Sequence, residues 1–459
     1  MFAAFLNSWK IPELRKRILF TLGIVAIVRV GAAIPCPGVD PTELVKFIQD
    51  AQAKAGSTGG VMGLADLFTG GALMNCAVFA LGIMPYITAS IIMQLLTAVV
   101  PSFERLKQEG ETGRAKLVQY SRYMTVMICV FQSAALAATI QSPGGLAKMF
   151  SGFTGTIVRT PGIPFVILTV ITITSGSLLV MWLGEQITER GIGNGASIII
   201  TVGIVDRLPT AIVQAWRLLF QKGDADSAAL PGPLMLLLML SMMVLVTAGI
   251  IAVTQAERKI PVQYAKRIVG QKMMGGGSTF MPLRVNYSGV MPIIFASAIL
   301  QFPQFLFSMS KLAVFQAISR ALMEGEVVYL VIYGLMILFF SYFWVLTQFN
   351  PLQVADDLKK YGGYVPGIRP GRPTAEHLDH VMTRITLAGA VFLTVIAVIP
   401  YVLRHHLHLS YLTASFFGGT SMLIVVGVLL DTMRQVESHL LMRHYDGFLR
   451  KGKLRGRFR

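Results

Sequence analysis

The amino-acid sequence predicts an all-α protein that crosses a membrane ten times, and three observations carry that expectation. Ten long apolar runs recur along its 459 residues. The chain is 54% hydrophobic and only 14% charged, with a mean hydropathy of +0.63. Its positive charge collects in alternate connections between the runs. A hydrocarbon core of about 30 Å takes roughly 20 helical residues to cross. Backbone amides find no water there, so each run is expected to be a helix.

The runs lie near 18–34, 76–100, 122–141, 162–183, 196–220, 233–254, 288–307, 327–349, 382–403 and 411–433, and are numbered here as spans one to ten. Span one has no small-residue cleavage site and more spans follow it, so it reads as a span and not a removable leader. The stretch 60–75, GVMGLADLFTGGALMN, is too short to cross and too apolar for a free loop. It fits a re-entrant half-helix buried in protein or lining a cavity, or a helix lying in the interface. The polar segment 221–232, QKGDADSAALPG, separates spans one to five from spans six to ten. The expected organisation is thus 1–220, a connection at 221–232, 233–433, and a basic tail at 434–459. Five is odd, so the second set starts from the opposite side. If the two sets share a fold they form an inverted repeat around a central path.

Two connections exceed simple turns. In 255–287 the alternation of Ile260, Val262 and Tyr264, then Gly275–Ser278, then Leu283 and Val285, predicts a β-hairpin with a Gly-rich tip. In 350–381, Lys359 and Lys360 precede Tyr364-Val365-Pro366-Gly367-Ile368-Arg369-Pro370-Gly371, an extended tip presenting Arg369. These loops read either as connectors or as a docking platform.

Lys and Arg number 40 against 23 Asp and Glu, a net charge of +17. All but 11 of the basic residues fall on the side that holds both termini, which is therefore expected to be cytoplasmic. Two readings of the excess stand together. One is this orientation rule with attraction to anionic lipids; the other is a surface for a large acidic or RNA-containing partner.

Catalytic signatures are missing. The sequence has no GxxxxGK[ST], HExxH, CxxC or GxSxG. Cys36, Cys76 and Cys129 lack metal spacing and do not form a disulfide framework. His405, His406 and His408 read as a solvated loop ahead of a metal site. Asp206, Glu185 and Asp431 stand near span ends, and mid-span carboxylates of the kind ion-coupled transporters use are nearly missing. A channel closed by apolar side chains is compatible with that pattern. Ile83, Ile87, Ile198–Ile200, Ile293–Ile294 and Ile424 fall near mid-membrane, as ordinary packing residues unless they meet on one axis.

Long segments are similar to the SecY family, the channel subunits of the bacterial protein-export translocase. They are FALGIMPYITASIIMQLL at 79–96, LGEQITERGIGNGASIII at 183–200, QYAKR at 263–267, GVMPIIFASAI at 289–299, NPLQVADDLKKYG at 350–362, YVPGIRPG at 364–371 and FGGTSMLIVVGVLLD at 417–431. The resemblance implies ten helices in two inverted halves of five, with a re-entrant plug helix at 60–75 that includes Leu64, Leu67, Phe68 and Leu73. It implies an apolar pore ring at Ile83, Ile87, Ala196, Ile200, Ile294 and Ile424, where Ala196 is smaller than the residue often found there. It implies a lateral gate between spans two and three and spans seven and eight, with Gln94 and Gln132 as candidate polar gate residues or ordinary interhelical hydrogen-bonding groups. Arg258, Lys266, Arg267 and Arg369 would engage a SecA motor or a ribosome. SecE-like and SecG-like small membrane subunits, signal sequences, nascent polypeptides and anionic lipids are the further implied partners. No cofactor is implied, and the location is the bacterial cytoplasmic membrane. Two other readings remain at this point: a secondary transporter of a small hydrophobic solute, and an insertase or scaffold without an aqueous path.

Overall fold

A computed structural model describes residues 11–40, 42–44, 66, 68–141, 157–220, 232–264, 267–269, 272–274, 277–308, 313–322, 326–407, 411–418 and 420–451. Each of the ten apolar runs carries helix. The helices are α1 Pro12–Ala33, α2 Met84–Val99, α3 Pro101–Gln108, α4 Glu111–Gln141, α5 Ile163–Arg190, α6 Gly195–Asp206, α7 Leu208–Phe220 and α8 Gly232–Gln255, followed by α9 Met291–Ser308, α10 Ala313–Ala321, α11 Val327–Gln348, α12 Pro351–Lys360, α13 Arg372–Leu407, α14 Tyr411–Gly418 and α15 Thr420–Lys451. Spans three, four, six, eight and nine and the α6–α7 pair are long and apolar enough to cross a membrane. The α2–α3 pair, bent by 102°, makes a seventh if counted as one span.

The side-chain pattern shows what surrounds these helices. On α11, Val327, Val331, Leu335 and Phe339 are exposed, while Tyr329, Tyr333 and Ile337 are buried. Both stripes repeat every four residues, so one face packs on protein and the other presents apolar groups outward. A water-facing helix would place charges there; hydrocarbon explains their absence.

The chain forms two compact units. One comprises Met1–Gln94, Arg105–Ile212 and Ile424–Arg459; the other comprises Leu95–Glu104 and Val213–Leu423. In the first, α4 packs along α5. The Arg122 guanidinium donates to both Glu185 oxygens at 3.1 and 2.7 Å, and Ser133 meets Thr174 at 3.2 Å. The α5–α6 corner follows from local chemistry. Asn194 caps α6 by accepting from the Ser197 amide at 3.2 Å, and the Gly195 amide donates to Thr188 Oγ1 at 2.9 Å. A Cβ on Gly195 would collide with the Gly184 carbonyl, so the two helices approach through glycine.

Two expectations need correction. The run at 76–100 is not helical throughout: residues 70–83 are mostly turns and helix starts at Met84. Cys76 at φ 45° and Gly82 at φ 54° break the helical path. The segment instead pairs with the chain leaving α1, with the Cys36 amide donating to the Cys76 carbonyl at 2.8 Å and the Val78 amide to Ile34 at 2.9 Å. Likewise, 60–75 does not close as one described half-helix. Asp66, Phe68 and Thr69 are helical and turns begin at Gly70; Leu64 and Leu67 lie outside the described residues.

In the second unit the expected hairpin exists and extends further. Strand β1 (Glu257–Tyr264) pairs antiparallel with β4 (Ser278–Arg284), with Ile260 opposite Met281. Between them β2 (Arg267–Val269) pairs with β3 (Lys272–Met274). The outermost pairing therefore lies ahead of the glycines, because Ile268 and Val269 suit a strand and the glycines do not. Strand β5 (Gly363–Tyr364) from the other long loop joins the far edge of β1, giving the order β4-β1-β5.

Candidate functional site

Within the first unit the structure places four expected ring residues. Ile83 closes the turn series before α2, and Ile87 sits in the first turn of that helix; both are buried. Ala196 and Ile200 lie four residues apart on α6, hence on one face; Ile200 is buried and Ala196 half-buried. Gly184 of α5 brings two of them together: a Cβ there would meet Ile83 Cδ1 at 3.1 Å and the Ala196 amide at 3.8 Å. Ile424, at the start of α15, is fully buried in this same unit. Ile294 is buried on α9 in the second unit.

The plug-like segment rests on α6. The carbonyl of Phe68 lies so close to Gly203 that a Cβ there would stand 2.5 Å away, and Phe68 and Leu73 are buried. Gly70 and Gly71 turn the chain at φ 62° and 89°, values that glycine adopts without strain. Arginines fill the space where their side chains would be. Arg29 of α1 donates to the Gly70 carbonyl at 3.4 Å and to Asp206 at 3.2 Å. Arg207, just after α6, pairs with Asp66. The other Asp66 oxygen accepts the Met74 amide at 2.9 Å.

None of these four charged residues belonged to the sequence-derived site. The signal was present: Asp206-Arg207 interrupts an apolar run, and Arg29 stands inside another. A charge in such a run asks for a partner. A further ion pair, Arg159 with Asp40 at 3.4 Å, joins the loops before α5 and after α1. Hydrogen bonds from the Thr42 hydroxyl and amide, with Arg159 adding to them, hold the Asp40 carboxyl below its ordinary range. Burial pushes the nearby Cys36 thiol up to about 12.

The two basic loops share the sheet β4-β1-β5. Ile260, Val262 and Leu283 face inward, and Ile260 and Leu283 pack with Val345, Val365, Leu378 and Met382. Arg258 is exposed on β1, opposite Leu283. Arg267 lies on β2, and Lys266 is outside the described residues. Arg369 is exposed at the tip, where its carbonyl accepts Thr374 Oγ1 at 2.8 Å and the Ile368 amide donates to Val365 at 3.1 Å. Tyr364 donates to Gln263 at 3.0 Å, fastening the tip to β1.

On the expected gate helices, Gln94 of α2 and Gln132 of α4 are both half-buried. Gln94 reaches Ser90 one turn back on its own helix at 3.4 Å, a local bond that does not by itself mark a gate. His405 and His406 belong to the end of α13, and His408 lies outside the described residues. Among the described residues no cluster of His, Cys, Asp and Glu is arranged to hold a metal ion.

Comparison with known proteins gives a consistent picture. A family model described as SecY matches residues 77–433. A protein translocase subunit SecY from Streptomyces coelicolor is 45% identical, over 98% of this chain and 100% of that protein. Another from Mycobacterium bovis is 42% identical over the same shares. A solved structure described as a protein conducting channel aligns with a TM-score of 0.61 at 17% identity, covering 92% of this chain and 91% of that one. A second, concerning a SecY plug domain that stabilises the closed state of the translocation channel and maintains a membrane seal, gives 0.61 at 16% identity over the same shares. Sec61 in a canine ribosome–channel complex gives 0.57 at 16%, again over those shares. At these identities the structural matches speak for the fold.

Proposed function

This chain belongs to the SecY family, and from that premise we propose how it works. It is the subunit of a protein translocase that forms a protein-conducting channel, a multi-pass protein of the cytoplasmic membrane and not an enzyme. In our reading, spans one to five (1–220) and six to ten (233–433) form two inverted halves joined at 221–232. Both termini, the tail 434–459 included, lie in the cytoplasm.

Ile83, Ile87, Ala196, Ile200, Ile294 and Ile424 line the narrowest point. A conduit for chains of any sequence has no use for specific polar ligands. An apolar collar sheds water and so resists ions, yet closes around whatever side chain passes. The segment about 60–75, with Leu64, Leu67, Phe68 and Leu73, acts as the plug. Signal sequences enter between spans two and three and spans seven and eight, near Gln94 and Gln132, and membrane segments leave there into lipid.

Work comes from outside the chain. Arg258, Lys266, Arg267 and Arg369 belong to the two long basic loops and suit an acidic or RNA-bearing partner. Ribosome-bound channels among the structural relatives support a ribosome as one partner. A SecA motor is the other, with SecE-like and SecG-like subunits and anionic lipids completing the assembly.

The observation that carries the sealing part is the seating of the Phe68 carbonyl against Gly203 on α6, in the unit that also holds Ile83, Ala196 and Ile200. Deletion of residues 62–72 should raise ion conductance in planar bilayers while translocation persists. Conductance unchanged from the intact channel would reject a sealing role for the segment.

A further inference from the structure

Four charged side chains in and beside the segment after residue 65 form two ion pairs. Asp66 pairs with Arg207 and, through its second oxygen, accepts the Met74 amide. Arg29 pairs with Asp206 and donates to the Gly70 carbonyl. The charges cancel, so the cluster is not a site for a free anion or cation. Asp66 and Arg207 are the shielded pair, with side-chain exposures of 11% and 14%, against 51% for Asp206.

The segment's other attachments are neutral. The Cys36 amide donates to the Cys76 carbonyl at 2.8 Å, Phe68 and Leu73 are buried, Ala72 and Ala77 pack on Ala32, and Asn75 reaches the Ala32 carbonyl at 3.5 Å. Removing one partner of a buried ion pair leaves an uncompensated charge, so the Asp66–Arg207 contact is the attachment most sensitive to a single change. The network is nevertheless incomplete. The Nε atoms of both Arg29 and Arg207 are buried and find no hydrogen-bond partner among the described residues. Hydration of those groups on opening offsets part of the cost of separating the charges. The contact is strong enough to hold and under-satisfied enough to release.

We propose that Asp66, with Arg207 and Arg29, is a charge clasp that sets the threshold at which the segment 66–77 leaves α6. These are positioning residues of the channel: they touch neither substrate nor ring, and act through the segment they hold. The inference rests on the sealing role proposed above in one respect, that release of the segment opens a path for ions.

The test uses the full chain with its partner subunits in lipid vesicles. Asp66→Asn keeps the acceptor for Met74 and removes only the charge. Backbone amide exchange over 69–77 should then rise at least about ten-fold while exchange in α4 and α5 stays unchanged. Arg207→Gln should act similarly, and the double variant should exceed neither single change, because all three break one pair. Asp206→Asn, which removes a half-exposed partner of Arg29, should give a smaller rise and provides a reading should Asp66→Asn fold poorly. Ion leak, measured in parallel, should follow the order of exchange. Unchanged exchange in Asp66→Asn, or additive effects of the two single changes, overturns the clasp. Exchange that rises while leak stays at the level of the unaltered channel upholds the clasp and overturns the sealing role instead.

Discussion

Arg369 lies in a loop whose backbone has few ways to move. Pro366 and Pro370 flank it, Gly367 takes φ 82°, and Thr374 ties its carbonyl to the first turn of α13. A planar guanidinium held in this way makes paired hydrogen bonds to a carboxylate or phosphate, which an ammonium does not reproduce. Arg369→Glu should lower motor-driven translocation into reconstituted vesicles by at least about ten-fold, with Arg369→Lys intermediate. Assembly and ion leak should stay unchanged; translocation at the normal rate would make the loop a mere connector. Cys36 gives a second prediction. Its thiol is buried and pushed up to about 12, so almost no thiolate exists at neutral pH. Labelling by a small maleimide should be slower than in the denatured chain by about a hundred-fold or more. Rapid labelling of the closed channel would show that the loop after α1 is not packed as described.

At the scale of elements, helix crossings depend on places without side chains. Gly195 meets the Gly184 carbonyl where α6 leaves α5, and backbone cannot move aside as a flexible side chain can. Gly195→Ala should cost about 1–3 kcal/mol, read as a lower unfolding midpoint in detergent. An unchanged midpoint would mean that the α5–α6 corner is looser than this geometry. The ten apolar runs made the helices legible from sequence, because hydrocarbon leaves the backbone no alternative. Span two was legible only in part. Residues 76–83 are as apolar as those after them, yet they turn and pair with 34–36. Burial against Gly31 and Gly176, which receive Phe79 and Val78, decides that conformation, and no local periodicity encodes such tertiary contacts. The hairpin's alternation was plain, whereas the joining of β5 to β1 links residues about a hundred positions apart and leaves no local trace.

At the scale of the whole molecule, the residues proposed for the ring are divided in sequence between the two compact units. Ile87→Ser combined with Ile294→Ser should raise resting ion conductance several-fold and relax the demand for a strong signal sequence, since polar groups allow a narrow apolar passage to wet. Conductance equal to that of the unaltered channel would exclude these two positions from the constriction. The candidate ring was legible through family segments and not through chemistry, for an isoleucine that lines a pore looks like one that packs. The charged residues beside the plug-like segment were visible individually. Their pairing across about 140 and 177 residues was not.

The sheet β4-β1-β5 has a mechanical consequence. Ile260 and Leu283 share a single apolar core with Val345 near the end of α11 and with Leu378 and Met382 near the start of α13. Such packing is dense and yields little to load. The hairpin is therefore a lever rooted in two membrane helices and not a tether. A push or twist applied at Arg258 or Arg369 is borne by the bases of spans eight and nine. On the docking role proposed above, a soluble partner holding this handle would grip the stems of those spans without entering the bilayer.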